Sequence, residues 1–156
     1  MGSKSDLPVV QKTVDILSEL AILHEVRVLS AHRTPDRTAE YAKSAQDRGL
    51  KVLIGAAGRA AHLPGVLASH TLLPVIGLPI GGGPLSGVDA LYAIVQMPSG
   101  VPVACVAIDG AANAALLAAQ IIAVSDSEVA ARLSAWRKER TLQGERDDEE
   151  IRSASR

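Results

Sequence analysis

Two hydrophobic patterns alternate along the chain: one has the period of a helix, and the other consists of short apolar runs. The helical period is clearest where Val10, Val14 and Leu17 recur at spacings of four and three residues. This period predicts helices at residues 7–20, 35–48, 60–69, 88–96, 111–124 and 128–139. The short runs predict strands at residues 25–29, 52–56, 74–78 and 103–107.

Apolar strands that alternate with helices indicate an α/β fold, in which helices cover both faces of a parallel sheet. Ligands of such folds bind beyond the carboxyl ends of the strands. The polar segments 30–34, 57–62 and 81–87 follow three of the predicted strands. Residues 2–6 look like a fourth loop of this kind, but no strand precedes them. Either the chain begins late, or another segment fills the gap of a missing first strand.

Length and composition narrow the possible functions. A chain of 156 residues suits one domain, which we assign to residues 1–140, followed by a charged tail at 141–156 that we expect to be frayed at its end. Aromatic residues make up only 2% of the chain and the net charge is −1, so a nucleic-acid partner is not expected. No apolar stretch reaches the roughly 18 residues of a membrane span. We therefore expect a cytoplasmic protein with no membrane partner.

Several kinds of site lack their sequence signatures. Cys105 is the only cysteine, so it forms no disulfide within the chain, and we interpret it as a buried, inert thiol. No cluster has metal-ligand spacing, and neither a nucleotide-binding P-loop motif nor a dinucleotide-binding glycine motif is present. We therefore predict no metal and no cofactor. These absences leave a small phosphate-bearing substrate and acid–base chemistry as the function to be expected.

Two polar segments carry groups suited to such a substrate. Gly2-Ser3-Lys4-Ser5-Asp6 opens a helix, where free backbone amides attract anions and the side chains could grip a phosphate and a ribose. It could equally be a capped turn. Ser30-Ala31-His32-Arg33-Thr34 combines an imidazole, which exchanges protons near neutral pH, with a guanidinium fork that suits phosphate. Its alternative is a solvated loop at the start of a helix.

Further candidates lie later in the chain. The small-residue segment 55–65 contains a second pair, Arg59 and His62, and could be either a pocket wall or a tight turn. The glycine-rich segment 81–87 could act as a lid or a ligand wall. Asn113 is expected to be a buried polar group that needs a partner.

Six blocks in order resemble the N5-carboxyaminoimidazole ribonucleotide mutase family, also called the PurE family. They are Gly2-Ser-Lys-Ser-Asp6, Ser30-Ala-His-Arg-Thr-Pro35, Ala60-Ala-His-Leu-Pro-Gly65, Leu85-Ser-Gly-Val-Asp-Ala-Leu-Tyr92, Gln96-Met-Pro-Ser-Gly-Val-Pro102 and Asn113-Ala-Ala-Leu-Leu-Ala-Ala119. The resemblance implies a flavodoxin-like three-layer αβα sandwich and a homo-octamer with sites between subunits. It also implies an isomerase of purine biosynthesis that moves a carboxylate between two positions of a small-molecule ribonucleotide.

The resemblance also implies the roles of individual residues. His32 would be the catalytic general acid and base, while Ser30 and Arg33 would bind the phosphate. Asp6 would hold the ribose near the carboxylate. The remaining substrate-binding positions would be Ser3, Ser5, Ala31, Gly58, Arg59, Ala60, His62 and Leu63.

Two departures from the family pattern leave alternatives open. Arg59 replaces a glycine that is usual in the mutase class, and it could contact phosphate or a neighbouring subunit, or point away. The absent first strand is the second departure. The competing functions are direct carboxylation of aminoimidazole ribonucleotide by carbon dioxide, a pyridinium mononucleotide carboxylase domain, and a ribonucleotide-binding module without turnover.

Overall fold

A parallel sheet forms the centre of the structure, a computed structural model that describes residues 1–155. Its strands are β1 (Leu53–Gly58), β2 (Val75–Ile80) and β3 (Ala104–Cys105), adjacent in that order. Leu53 pairs with Val75 and Ile76 with Ala104, and both pairings are parallel. The predicted α/β class with a parallel sheet is confirmed.

Within residues 1–155 there are six helices, of which five cover the two faces of this sheet. They are α1 (Leu7–Glu19), α2 (Pro35–Ser44), α3 (Leu63–Ala68), α4 (Val88–Val95), α5 (Ala111–Ala123) and α6 (Ser127–Ala154), with a 3-10 turn at Lys4–Asp6 before α1. Helices α2, α3 and α4 share one core with the sheet, and α5 packs against its other face. Helix α6 packs outside α1 and α5. This arrangement gives the three layers expected from the sequence.

Alternation along the strands divides the core between the two faces. Leu53 and Ala57 face α2 and α3, whereas Ile76 and Leu78 face α5. Gly77 lies against α4, and a Cβ at this position would collide with the side chain of Ile94. The missing side chain therefore lets α4 lie directly on the sheet.

The predicted strand at 25–29 is wrong, because no residue of this segment belongs to a strand. Leu29 N–H donates to Met1 O at 2.9 Å, and the Met1 amine donates to Arg27 O at 2.9 Å. Among residues 1–155, no other backbone group pairs with this segment, so a continuous ladder is not formed. The predicted strand at 103–107 is shortened to two residues, with Val106 N–H still bonded to Gly77 O at 3.1 Å.

The helices begin within one residue of their predicted starts except at α3, and α2 ends at Ser44 instead of residue 48. Helix α3 was predicted to begin at residue 60 and begins at Leu63. Arg59 and Ala61 have positive φ angles of 56° and 41°, so the chain makes a tight left-handed turn before the helix. Asn113 also differs from its prediction, because it lies on an exposed position of α5.

Helix α6 extends through the tail to Ala154 instead of ending near residue 139 with a frayed segment after it. The Asp126 carboxylate caps its start by accepting hydrogen bonds from the N–H groups of Glu128 and Val129 at 3.0 Å. Intrahelical ion pairs such as Arg146–Glu139, at 2.7 Å, run along its exposed second half. The assignment of 141–156 as a separate tail stays a prediction.

Candidate active site

A cavity of about 630 Å³ lies at the carboxyl ends of the strands. Its walls are the loop before α1, the loop before α2, the β1–α3 loop and the start of the β2–α4 loop. All the predicted site residues line it: Ser3, Ser5, Asp6, Ser30, Ala31, His32, Arg33, Gly58, Arg59, Ala60, His62 and Leu63. The structure therefore brings together residues that are up to 60 positions apart in the sequence.

The loop before α1 is held by its own side chains in a capping box. Ser3 N–H donates to Asp6 Oδ2 at 3.0 Å, and Ser5 N–H donates to Ser3 Oγ at 3.3 Å. The Ser5 hydroxyl lies 2.9 Å from Ser3 Oγ and 3.4 Å from Asp6 Oδ1. Asp6 is buried, so its carboxylate is fixed at the cavity floor while the two hydroxyls are available to a polar ligand.

The loop before α2 fixes a guanidinium group at the cavity edge. Arg33 donates from its backbone N–H and from Nε to Ser30 Oγ, at 3.1 and 3.3 Å. Its Nη2 donates to Gly2 O at 3.2 Å, which joins this loop to the one before α1. Thr34 Oγ1 accepts from Ser30 N–H and donates to Ser30 O, at 3.0 and 3.1 Å. Such a held guanidinium is suited to an anion such as phosphate.

Two imidazole rings meet in the cavity. His32 Nε2 lies 2.7 Å from His62 Nδ1, and the rings are edge to face with centroids 4.8 Å apart. A hydrogen bond between these two nitrogens requires a hydrogen on one of them, and the tautomers of the rings decide which one donates. Both rings are exposed in the single chain. The sequence places each histidine at a strand end, but it gives no sign of their direct contact.

The β1–α3 loop owes its shape to residues with unusual backbone angles. Arg59 and Ala61 are left-handed, and Ala61 N–H donates to Gly58 O at 3.1 Å. A Cβ on Gly58 would lie 3.2 Å from Ile80 O, so glycine keeps this loop close to β2. Arg59 extends across the cavity rim, where its Cζ lies 4.0 Å from the position of a Cβ on Gly83. This loop therefore carries His62 and Arg59 on the side of the cavity nearest β2.

Asp109 is a supporting residue that sequence reasoning missed. Its Oδ1 accepts a hydrogen bond from Gly81 N–H at 2.7 Å, and its own N–H donates to Pro79 O at 2.9 Å. Asp109 thereby fixes the beginning of the glycine-rich loop, and Gly81 to Gly83 form one wall of the cavity. The signal available in the sequence was the Asp109-Gly110 pair, a turn dipeptide directly after the last strand.

Burial changes the pKa of the Met1 amine and of the Cys105 thiol. It lowers the pKa of the Met1 amine, and the nearby Asp6 carboxylate opposes that shift. Burial also raises the pKa of the half-buried Cys105 thiol, which favours the unreactive protonated form.

Within residues 1–155 we find no group of three or more His, Cys, Asp or Glu side chains placed to hold a metal ion. The same part of the chain contains no helix with the length and hydrophobicity of a bilayer crossing.

Comparison with known proteins gives consistent matches. The sequence profile of a family described as AIR carboxylase matches residues 1–143. N5-carboxyaminoimidazole ribonucleotide mutase from Pyrococcus horikoshii is 54% identical over 139 residues, which cover 89% of this chain and 78% of that protein. The enzyme of the same name from Escherichia coli K12 is 54% identical over 143 residues, which cover 90% and 85%. The crystal structure of Treponema denticola PurE superposes with a TM-score of 0.88 at 30% identity, covering 97% of this chain and 94% of that one.

Proposed function

The chain belongs to the AIR carboxylase family, and from that premise we propose that it is an isomerase of purine biosynthesis. It converts N5-carboxyaminoimidazole ribonucleotide into 4-carboxy-5-aminoimidazole ribonucleotide. Two relatives that are 54% identical to this chain are named N5-carboxyaminoimidazole ribonucleotide mutase. The matches cover 78% and 85% of those relatives. The coincidence of the histidine pair with Arg33 and Asp6 in one cavity is the structural observation that supports this reaction.

The cavity offers a separate group for each part of such a substrate. Arg33 and Ser30 bind the phosphate, because the guanidinium is charged and already held in place. Asp6, Ser3 and Ser5 hold the ribose hydroxyls. This arrangement directs the heterocycle towards His32 and His62, with Ala31, Gly58, Ala60 and Leu63 as close walls.

His32 supplies the proton transfers of the reaction. Protonated His32 gives its proton to the carbamate nitrogen, the C–N bond breaks, and carbon dioxide leaves from the aminoimidazole. The ring carbon then attacks the retained carbon dioxide and forms a C–C bond. Neutral His32 finally removes the proton from that carbon, which restores the starting state of the enzyme. His62 positions the His32 ring through the 2.7 Å contact.

Retention of carbon dioxide requires a covered cavity, whereas both imidazoles are exposed in the single chain. We therefore propose a homo-octamer in which neighbouring subunits cover the site. An exposed apolar stripe on and beside α4, formed by Leu85, Val88, Tyr92 and Val95, offers an interface next to the glycine-rich wall. Because the substrate is a soluble ribonucleotide and the only cysteine is a thiol, we propose a cytoplasmic location.

The family description also names direct carboxylation of aminoimidazole ribonucleotide, and isotope labelling separates it from the mutase reaction. The carbamate carbon of the substrate is labelled with ¹³C, and the reaction is run in buffer with unlabelled bicarbonate. Mass spectrometry of the product should show that the label is retained. Loss of the label, together with turnover of the decarboxylated nucleotide and bicarbonate, would instead establish the carboxylase.

The variant His32→Asn tests the assigned proton donor in the same assay. Turnover should be abolished, while substrate binding measured by calorimetry should stay within roughly tenfold, because the phosphate contacts remain. Full activity of this variant would exclude His32 as the acid and base. Binding without turnover in the unchanged chain would favour the ribonucleotide-binding module.

A further inference from the structure

The glycine-rich loop between β2 and α4, residues 81–87, is closed at its base. A Cβ on Gly87 would lie 3.0 Å from Gly81 Cα, so the two ends of the loop are close neighbours. The same Cβ would lie 2.8 Å from Ile108 Cγ2, on the turn that precedes α5. The loop therefore leaves the sheet and returns to it at one point, beside that turn.

The middle of the loop, residues 82–86, is exposed and projects from this base. We call these five residues the arc. Gly82 and Gly83 line the active-site cavity, so the arc forms part of its wall. Among residues 1–155, nothing lies within 4 Å of a Cβ position on Gly82, and only Arg59 comes within 4.0 Å of the one on Gly83. The arc therefore has little packing of its own to hold it beside the cavity.

Asp109 is the side chain that holds the base of the loop. Its Oδ1 accepts from Gly81 N–H at 2.7 Å, and its Oδ2 lies 2.5 Å from the position of a Cβ on Gly81. Both carboxylate oxygens thus lie against Gly81, and only a glycine leaves room for them. Within residues 1–155, no other side chain makes a hydrogen bond to the loop.

The support for this carboxylate is a rigid turn. Asp109 N–H donates to Pro79 O at 2.9 Å, Gly110 N–H donates to Ala107 O at 2.9 Å, and Ala111 N–H donates to Asp109 O at 2.7 Å. The φ angle of Asp109 is 54°, in the left-handed region that Asp and Asn adopt more readily than most other residues with side chains. Asp109 therefore projects from a fixed turn onto a loop that has few other contacts.

We propose that Asp109 is a positioning residue for the carboxylate transfer. By holding Gly81, it keeps the arc beside the cavity, and the arc prevents the escape of carbon dioxide. Asp109 does not itself line the cavity, so it acts through the loop. The inference rests on the proposed function, because carbon dioxide is free only between cleavage of the C–N bond and formation of the C–C bond.

Escape at that stage has a defined product. The carbamate nitrogen has already taken its proton, so the loss of carbon dioxide leaves aminoimidazole ribonucleotide, which is then released. The groups that hold the nucleotide, Arg33 and Asp6, lie on other loops and make no contact with Asp109. A displaced arc should therefore divert turnovers to aminoimidazole ribonucleotide while the KM changes little.

Two substitutions separate the hydrogen bond from the backbone angle. Asp109→Gly removes the acceptor and adopts the left-handed angle without strain. Asp109→Asn is the matched control, because it keeps Oδ1 as an acceptor and tolerates the same angle. Both variants are given substrate labelled with ¹³C at the carbamate carbon, in unlabelled bicarbonate. Mass spectrometry then measures the label in the product and the amount of aminoimidazole ribonucleotide released.

Asp109→Gly should release aminoimidazole ribonucleotide at least about tenfold more often per turnover, with the KM within about threefold. Asp109→Asn should stay within about threefold of the unchanged chain in both quantities. Full retention of the label by Asp109→Gly, or equal loss in the two variants, would overturn the proposal. Absence of turnover in the unchanged chain would instead refute the proposed function.

A substitution at Gly81 tests the same contact from its other side. Gly81 does not have a positive φ angle, so its backbone accepts alanine, but the added Cβ would collide with Asp109 Oδ2. Gly81→Ala should therefore also release carbon dioxide. The double variant, with Asp109→Gly as well, should lose no more than either single variant, because the two changes break one contact. Additive losses would contradict this assignment.

Hydrogen exchange tests the contact without substrate. Exchange of Gly81 N–H should be at least about tenfold faster in Asp109→Gly than in the unchanged chain, and Asp109→Asn should restore most of the protection. Unchanged exchange in Asp109→Gly would show that the carboxylate does not hold the loop, and it would refute the positioning role whatever the activity of the variants.

Discussion

Arg33 and Arg59 are two cavity guanidiniums that the structure holds in different ways. Arg33 is fixed by hydrogen bonds to Ser30 and to Gly2 O, so little side-chain freedom is lost when it binds an anion. Arg59 makes no hydrogen bond or ion pair within residues 1–155, and its backbone is left-handed. The two residues should therefore contribute unequally to substrate binding, although both line the same cavity.

We predict that Arg33→Ala raises the KM roughly ten- to hundredfold, because a charge-assisted contact contributes about 1.5–3 kcal/mol. The matched variant Arg59→Gly removes the other guanidinium and also relieves the left-handed backbone. It should change the KM less than about threefold and leave the thermal midpoint equal or higher. Steady-state kinetics check both values. An equal rise of the KM in both variants would show that Arg59 also binds the phosphate.

The sequence predicted which residues line the site, but it did not predict how these residues contact one another. The rule that parallel strands present their carboxyl ends at one edge predicted His32 and His62 in one cavity. Both residues line that cavity, although the segment before His32 is not a strand. Their 2.7 Å contact depends on the left-handed turn at Arg59 and Ala61. Neither residue type favours that conformation, so local propensity could not reveal it.

At the scale of elements, the two misjudged segments share one physical reason. Residues 25–29 have strand-like composition, but a strand also needs a partner along its length, and only Met1 provides one. The charged tail was expected to be frayed at its end, yet α6 continues through it to Ala154 with repeated ion pairs at helical spacing. Backbone pairing decided whether residues 25–29 form a strand, and ion pairs between side chains support the helix in the tail. The hydrophobic period of the sequence contains neither kind of information.

The Glu25–Arg48 ion pair, at 2.8 Å, ties segment 23–29 to the turn after α2 and gives a pH prediction. The hydrogen bond from Arg48 lowers the pKa of Glu25 below its ordinary 4.5. This pair therefore stabilises the fold above pH 4.5, and its contribution is lost as the pH falls through the lowered pKa.

Glu25→Gln should lower the thermal midpoint near pH 7 by no more than about 2 °C, as expected for one surface ion pair. Thermal melts of the two proteins should then converge as the pH falls through the lowered pKa of Glu25. Asp15→Asn, on the exposed face of α1, is the control. A difference that stays constant down to pH 3 would contradict the linkage.

At the scale of the whole molecule, the stripe of Leu85, Val88, Tyr92 and Val95 exposes apolar side chains to solvent in the single chain. Tyr92 is 60% exposed and Val95 is 51% exposed, on consecutive turns of one helix. The stripe begins in the loop whose first residues form a cavity wall. Assembly through this surface would therefore connect the oligomeric state to the cover of the active site.

We predict that sedimentation of the unchanged protein gives about eight times the 16.2 kDa chain mass. Tyr92→Glu should give smaller species with reduced turnover, because a charge would be buried in the interface. Leu72→Glu, at an isolated leucine that is 97% exposed, should leave the mass unchanged. A monomeric unchanged protein with full turnover would exclude the proposed assembly.

The packing of Trp136 has a practical consequence for spectroscopy. It is the only tryptophan, and it lies where α6 meets α1 and α5, with the Arg140 guanidinium 4.8 Å from its ring centre. No residue of the ligand cavity belongs to that cluster. Intrinsic emission therefore reports whether the last helix is docked and gives little signal when a nucleotide is titrated. A fluorescent reporter of ligand binding has to be introduced elsewhere, for example on the glycine-rich wall.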